Sequence, residues 1–344
     1  MRQTGQCVKA GKHRSFLRTR RYVHGVRTSL PVLTVKGGQA RPLAVIMAGQ
    51  HGSELNGIAS IERVFRQLNP QKLKGTVVFL PIMNPIGVHA HIEHYPIGEP
   101  YNMNRVWWDA MTSPDRSYAR EIASAVWDTY LRHADVALDL HCCGGSPVYL
   151  PHAYTSKRNW ALLHAFGVPC CKLTAKPSVP SCPGMAMSMA TTHGIPAIIG
   201  ELPSHHAIDA ESVRLGERGI LNILKFMGML KGKLELPEYQ YEFAEEDEEI
   251  AVMTPVEGLA VTDFISGQLA RKGQTVVRIL SLDTLSAIWE FRTPYDALIF
   301  SAGVVYRGNA PASSVVNSGQ RVALLKKPRR IIHNHGDLPC LMSK

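Results

Sequence analysis

The chain has 344 residues, more than one hydrophobic core usually accommodates, so two domains are expected. With 45% hydrophobic and 19% charged residues it has an ordinary globular composition, and no apolar run is long enough to span a bilayer. A formal charge of +10 raises nucleic acid as a partner, but the basic residues are spread along the chain without a basic-motif signature, so a field that draws in an anionic substrate is the more economical explanation.

No acidic residue occurs before Glu54. That bias resembles a transit peptide, yet residues 15–27 lack an amphipathic helical pattern and residues 30–35 read as a strand. The fold is therefore expected to begin near Lys12. Leu43–Ala48 follows as a short, buried strand, and apolar residues at Leu55, Ile58, Ile61, Phe65 and Leu68 then take the spacing of one helix face. His51 and Glu54 fall at this strand-to-helix junction, three residues apart. If the first helical turn includes both, their side chains share a side. An imidazole and a carboxylate there can supply two ligands to a zinc ion, and a catalytic zinc needs one more. Taken alone, the pair is a weak signal, and an ordinary helix start, where the macrodipole favours Glu, is the simpler reading.

Residues 77–82 form the next strand candidate. His89, His91 and His94 then cluster in a loop. Their alternate spacing suits neither a helix face nor a tight zinc motif, so a solvated loop lining the cleft is expected. Asn102-Met103-Asn104-Arg105 follows. The Arg105 guanidinium can grip a carboxylate through two parallel hydrogen bonds, with Asn104 as a further donor; the alternative is a surface arginine without a specific contact. The clearest helix covers residues 113–133, with Ser113 as cap, Pro114 at the first helical position and Asp115 at the positive end. Its apolar residues Tyr118, Ile122, Val126 and Tyr130 recur every fourth position.

Residues 136–140 form another apolar strand, ending at His141. In open α/β sheets, sites collect outside the carboxyl ends of the strands, which makes His141 the candidate third ligand. Asp139 shares its strand face and could orient a ligand, or be a buried structural carboxylate. A further strand, residues 195–199, leads to Glu201. A carboxylate that binds no metal but stands beside zinc-activated water can accept a proton and return it to a leaving amine. Strands alternating with helices predict an α/β domain with a largely parallel sheet covered on both faces. His152, His205 and His206 are cleft candidates without a role.

A last helix follows Asp209. Glu242, Glu245, Glu246, Asp247, Glu248 and Glu249 then form an acidic run read as a solvated linker, which puts the domain boundary near residue 240. Beyond it, Thr254-Pro255-Val256-Glu257-Gly258-Leu259 is echoed by Thr293-Pro294-Tyr295-Asp296-Ala297-Leu298, and Gly273-Gln274-Thr275-Val276 by Gly319-Gln320-Arg321-Val322. Short segments punctuated by Gly and Pro predict a compact all-β domain over residues 241–330. Its pattern resembles the barrel-sandwich fold of biotinyl and lipoyl carriers. The hairpin where a carrier presents lysine would be Leu282-Asp283-Thr284-Leu285-Ser286, which has none, so a structural or oligomer-forming role is expected instead. Residues 331–344 read as a mobile basic tail. The seven cysteines show neither regular spacing nor a C-x-x-C motif, which fits reduced thiols in a cytoplasm.

His51-Gly52-Ser53-Glu54, Asn104-Arg105, Asp139-Leu140-His141 and Glu201 come in an order and spacing that resemble the succinylglutamate desuccinylase/aspartoacylase family, over roughly residues 12 to 235. The resemblance implies a zinc carboxypeptidase-like three-layer α/β domain (residues 1–240), and the β domain also suits it. It implies one zinc per chain on His51, Glu54 and His141, Glu201 as general base and acid, and Arg105 with Asn104 on the substrate carboxylate. The implied activity is removal of an acyl group from an amino acid. Tyr101 stands where the family often has an acidic residue. Trp107, Trp108, Cys142 and Cys143 also depart from the expected pattern, which leaves the acyl group and the amine undefined. A zinc carboxypeptidase acting on peptides and a non-enzymatic binding protein for an acidic partner are the alternatives. A small-molecule carboxylate is the expected partner, without nucleic acid or membrane, and a homo-oligomer is compatible with the sequence.

Overall fold

The computed structural model describes residues 9–20, 23, 27–93, 102–108, 110, 117–143, 152–156, 159–174, 184–244, 247–307 and 310–334. Its larger part is built on a ten-stranded mixed sheet. The strands are β1 (Gly11–Arg18), β2 (Ser29–Lys36), β3 (Leu43–Ala48), β4 (Thr76–Leu80), β5 (Val136–Cys142), β6 (His152–Ser156), β7 (Cys170–Thr174), β8 (Ala197–Leu202) and β9 (Tyr239–Ala244). They lie in the order β1-β2-β4-β3-β5-β8-β6-β7-β9, and Arg330–His333 closes the edge beyond β9. At the centre β4, β3, β5 and β8 run parallel. β6 is antiparallel to β8, as β2 is to β4.

Alternation along β3 explains the three layers. Ala44, Ile46 and Ala48 enter one core with α1 (Asn56–Gln67), α4 (Trp160–Phe166) and α6 (Ala210–Phe226). Val45 and Met47 enter the other with α3 (Tyr118–Thr129) and α5 (Ala186–Thr192). A strand buried on both faces has no polar side to show, which is why the central strands read as continuous apolar runs. The expected helix over 113–133 starts later: the Ser117 side chain accepts from the Arg120 N–H as its cap, and α3 then runs from Tyr118 to Thr129. Ser113, Pro114 and Asp115 lie outside the described residues. α6 begins as expected, with the Asp209 carboxylate accepting from the Ser212 N–H. Among the described residues no helix is long and apolar enough to cross a membrane.

The acidic run is not a linker throughout. β9 belongs to the large sheet, pairing parallel with β7, so the expected boundary at 240 falls inside a strand. Glu242 is buried there and accepts from the Trp160 indole at 2.5 Å. Asp247 and Glu249 pair with Arg329 and Lys326, each at 2.6 Å. Part of the basic tail is strand as well: Arg330–His333 pairs antiparallel with β9, Arg330 opposite Glu242. The β domain is thus inserted between two neighbouring strands of the α/β domain. Opposite charges at the two crossings let segments that look solvated pack together.

The β domain holds two four-stranded antiparallel sheets over a common apolar core. Its sequence repeat is also a repeat of hydrogen bonds. Thr254 Oγ1 donates to Val256 O at 2.8 Å, and Thr293 Oγ1 to Tyr295 O at 2.6 Å. Gly319 N–H donates to Thr254 O at 2.7 Å, and Gly273 N–H to Thr293 O at 2.8 Å. Each half therefore closes its Thr-Pro turn on the Gly-Gln turn of the other, the interlock expected of a barrel-sandwich. The hairpin at 282–286 carries exposed Leu282 and Leu285.

Candidate active site

The site lies at the carboxyl ends of β3, β5 and β8. After β3 the chain turns through His51 to Glu54 before α1 begins at Asn56, and Glu54 N–H bonds His51 O at 3.3 Å. The pair therefore precedes the helix instead of forming its first turn. The turn is packed too tightly for a side chain at Gly52, where a Cβ would come within 2.1 Å of the Gly87 carbonyl carbon in α2 (Pro85–Ala90). β5 delivers His141, and the β5–β8 register sets Glu201 directly opposite it.

His51, Glu54 and His141 come together with one candidate ligand atom from each, all within 4.8 Å of one another. Each Glu54 oxygen faces one imidazole: Oε1 lies 2.7 Å from His51 Nδ1, and Oε2 lies 2.9 Å from His141 Nδ1. The far nitrogens are held from behind, His51 Nε2 at 2.9 Å from Asn102 Oδ1 and His141 Nε2 at 3.0 Å from Asp139 Oδ2. Oxygen acceptors at Nε2 can keep a proton there, so that both Nδ1 lone pairs would point inward once the Nδ1 protons facing Glu54 are given up to a metal. Two imidazoles and a carboxylate so arranged could hold a divalent metal such as zinc.

Burial pulls both histidines toward the neutral form, but the carboxylates outweigh it. Glu54 raises His51 above its ordinary value, and Asp139 with Glu54 raises His141 well above. Burial works against the Glu54 carboxylate too, and the two imidazoles nevertheless hold it far below the usual range. Glu201 goes the other way. Burial, with the Glu54 and Asp139 charges, outweighs the imidazoles and lifts it to about 7. Two carboxylates in one site thus titrate far apart, the pattern that separates a ligand from a proton carrier.

Arg105 sits on a 3-10 turn, Met103–Arg105, capped by the Asn102 side chain, and is exposed, with Nη1 donating to Asn104 O at 2.8 Å. Asn104 is buried: its Oδ1 accepts from the Ala186 N–H, and its Nδ2 lies 3.1 Å from His141 Nε2. The structure puts this amide behind a histidine, where the sequence suggested a substrate donor. Trp107 is fully buried and Trp108 is 50% exposed. Burial drives the Cys142 and Cys143 thiols up, so neither is poised as a nucleophile.

Of the other histidines, His152 opens β6 but its side chain lies outside what is described. His205 Nε2 is 2.7 Å from Cys142 O, and His206 N–H bonds Ser53 O at 2.8 Å. His89 and His91 are exposed around the end of α2, while His94 and Tyr101 lie outside the described residues. Three supporting residues carry no signal along the chain. Asn102 stands behind His51, and Gln50 donates to Asp139. Asn56 ties down the loop after β8, its amide donating to Pro203 O at 3.0 Å and its Oδ1 accepting from Asp209 N–H at 2.8 Å. All three lie within or beside the motifs, but a buried amide has no spacing rule that announces it.

An α/β sheet that brings three donors able to hold a metal to the carboxyl edge of its parallel strands has the form of a hydrolase. The family model of the succinylglutamate desuccinylase/aspartoacylase catalytic domain matches residues 40–227, more than half of the chain, and the protein belongs to that family. A relative, the N-alpha-acetyl-L-2,4-diaminobutyric acid deacetylase of Halomonas elongata, is 27% identical over 307 residues, covering 86% of this chain and 85% of its own. Two solved structures share the fold. The succinylglutamate desuccinylase/aspartoacylase from Rhodobacter sphaeroides has a TM-score of 0.69 at 22% identity, covering 94% of this chain and 98% of that one. The product-bound ectoine utilization protein EutE (DoeB) from Ruegeria pomeroyi has 0.70 at 23%, covering 94% and 97%.

Proposed function

We propose that this protein is a zinc-dependent amidohydrolase that removes the acyl group from an N-acyl amino acid or a related small carboxylate. The observation that carries this reading is the convergence of His51, Glu54 and His141 on one point, with Glu201 beside it. Zinc bound there would lower the pKa of water toward 7 and polarise the amide carbonyl. Glu201, with its carboxyl at about 7, is matched to take a proton from the attacking water and return it to the departing amine. Arg105, exposed on its turn, is suited to the substrate carboxylate, to which a guanidinium can present two parallel donors. Asn104, fixed by the Ala186 N–H on its Oδ1, packs behind His141. Family membership and the deacetylase relative favour an acylated amine over a peptide.

The test is a panel of acetyl, succinyl and other acyl amino acids against short peptides, together with elemental analysis. One zinc per chain and turnover of acyl amino acids is the expected result. Turnover of peptides alone would transfer the protein to the carboxypeptidases, and neither metal nor turnover would leave a binding protein.

A further inference from the structure

The segment from Asn102 to Trp107 stands behind both imidazoles. Besides the contacts of Asn102 and Asn104, the Trp107 indole N–H donates to Gln50 Oε1 at 2.8 Å. Gln50 Nε2 in turn donates to Asp139 Oδ2 at 2.5 Å, and this same oxygen faces His141 Nε2 at 3.0 Å. Trp107 is 0% exposed, and Gln50 and Asp139 are 1% exposed, so bulk water does not compete for these bonds. The segment is itself fixed. Trp107 N–H bonds Gly184 O at 3.0 Å, and Gly184 lies so close that a Cβ on it would meet the Arg105 carbonyl.

This chain of bonds has a direction. An indole N–H only donates, while a side-chain amide has one accepting end and one donating end. Trp107 therefore decides which way round the Gln50 amide stands, and turns its donor onto Asp139. Reversed, Gln50 would set its carbonyl oxygen against a carboxylate and its NH2 against the indole N–H. Asp139 Oδ1 has no hydrogen-bond partner among the described residues, so both donors fall on Oδ2. Losing Gln50 would leave His141 as the one group orienting that carboxylate.

We propose that Trp107 and Gln50 are positioning residues of the metal centre, holding Asp139 in the rotation that aims His141 Nδ1 at the ion. The inference rests on the reading that His51, Glu54 and His141 bind zinc. It explains a tryptophan and a glutamine that the reaction itself does not use. It also gives the metal ligand and the arginine-bearing turn a shared support.

Trp107→Phe removes the donor and keeps most of the bulk; Gln50→Met removes both ends of the amide and keeps the length. Zinc affinity is read by competition with a chromophoric chelator, and geometry from the visible spectrum of the cobalt-loaded protein. Each variant is expected to bind zinc about three- to tenfold more weakly, short of the 10–100-fold typical of groups that touch a ligand directly. Each is also expected to alter the cobalt spectrum. The double variant should be no weaker than the weaker single one, because both break one chain. Unchanged affinity and spectrum beside a lower melting temperature would make Trp107 a packing residue and overturn the proposal, as would fully additive losses. If Trp107→Phe does not fold, Gln50→Met decides by the same two readouts. Wild-type protein that takes up neither zinc nor cobalt would instead overturn the metal reading beneath it.

Discussion

The parallel strands at the centre of the sheet end in two unlike surroundings. At their carboxyl ends stand His51, His141 and Glu201, buried or half-buried and close enough to shift one another's protonation. At their amino ends Pro42, Asp135 and Pro196 line a cleft of about 440 Å³ walled by Leu162, Phe226 and Met227. The charged groups there stay in solvent: Arg41 and Asp135 form an ion pair at 2.7 Å with side chains 59% and 35% exposed. One ladder thus carries two kinds of electrostatics. Screened charges at the amino end do little to each other, while desolvated charges at the carboxyl end set each other's state. Chemistry and packing are divided between the two ends, and substitutions can test that division.

The largest effect is expected of His141→Ala, which removes one of the three proposed ligands: loss of stoichiometric zinc by elemental analysis, with activity at background. Retained zinc in that variant would show that the cation is held elsewhere. Glu201→Gln should lower turnover by roughly two to four decades while zinc stays bound, since the amide cannot carry the proton. Full activity would remove Glu201 from the mechanism. A third effect is graded with pH. His51 and His141 are raised above their ordinary values, so near neutrality zinc has to displace protons from them. Affinity should rise with pH through the neutral range, by up to about tenfold per unit for each proton released, as seen in calorimetry across buffers of different ionisation enthalpy. An affinity flat from pH 6 to 8 would mean that the imidazoles are already neutral. The smallest effect belongs to the other end. Asp135→Asn loses the exposed ion pair but can still accept from the Leu43 N–H, which Asp135 bonds at 2.6 Å. Stability should change by no more than about 1 kcal/mol in chemical denaturation, with turnover unaltered. A clear loss of activity there would erase the contrast between the two ends.

Much of this organisation was legible beforehand. The central strands announced themselves as apolar runs, and α6 follows Asp209 as its apolar positions suggest. The β domain showed its repeat, because the same turn chemistry is needed twice. His51, Glu54 and His141 stood in motif order, and their convergence follows from strands that all end on one edge. Other features were illegible for definite reasons. Glu242 looks like a solvated charge until Trp160 is brought beside it. Arg330–His333 looks like a basic tail until β9 offers its free edge.

Local pattern, then, determined which segments become strands and helices and which side chains have the chemistry to bind a metal, since periodicity and residue type are properties of the chain itself. Only the tertiary structure decided how those side chains are held. The amides of Gln50, Asn102 and Asn104 and the indole of Trp107 reach their partners through space, across 89, 51, 37 and 57 residues of sequence respectively. A hydrogen bond depends on where two groups meet and on the water excluded around them, and no spacing along the chain records either.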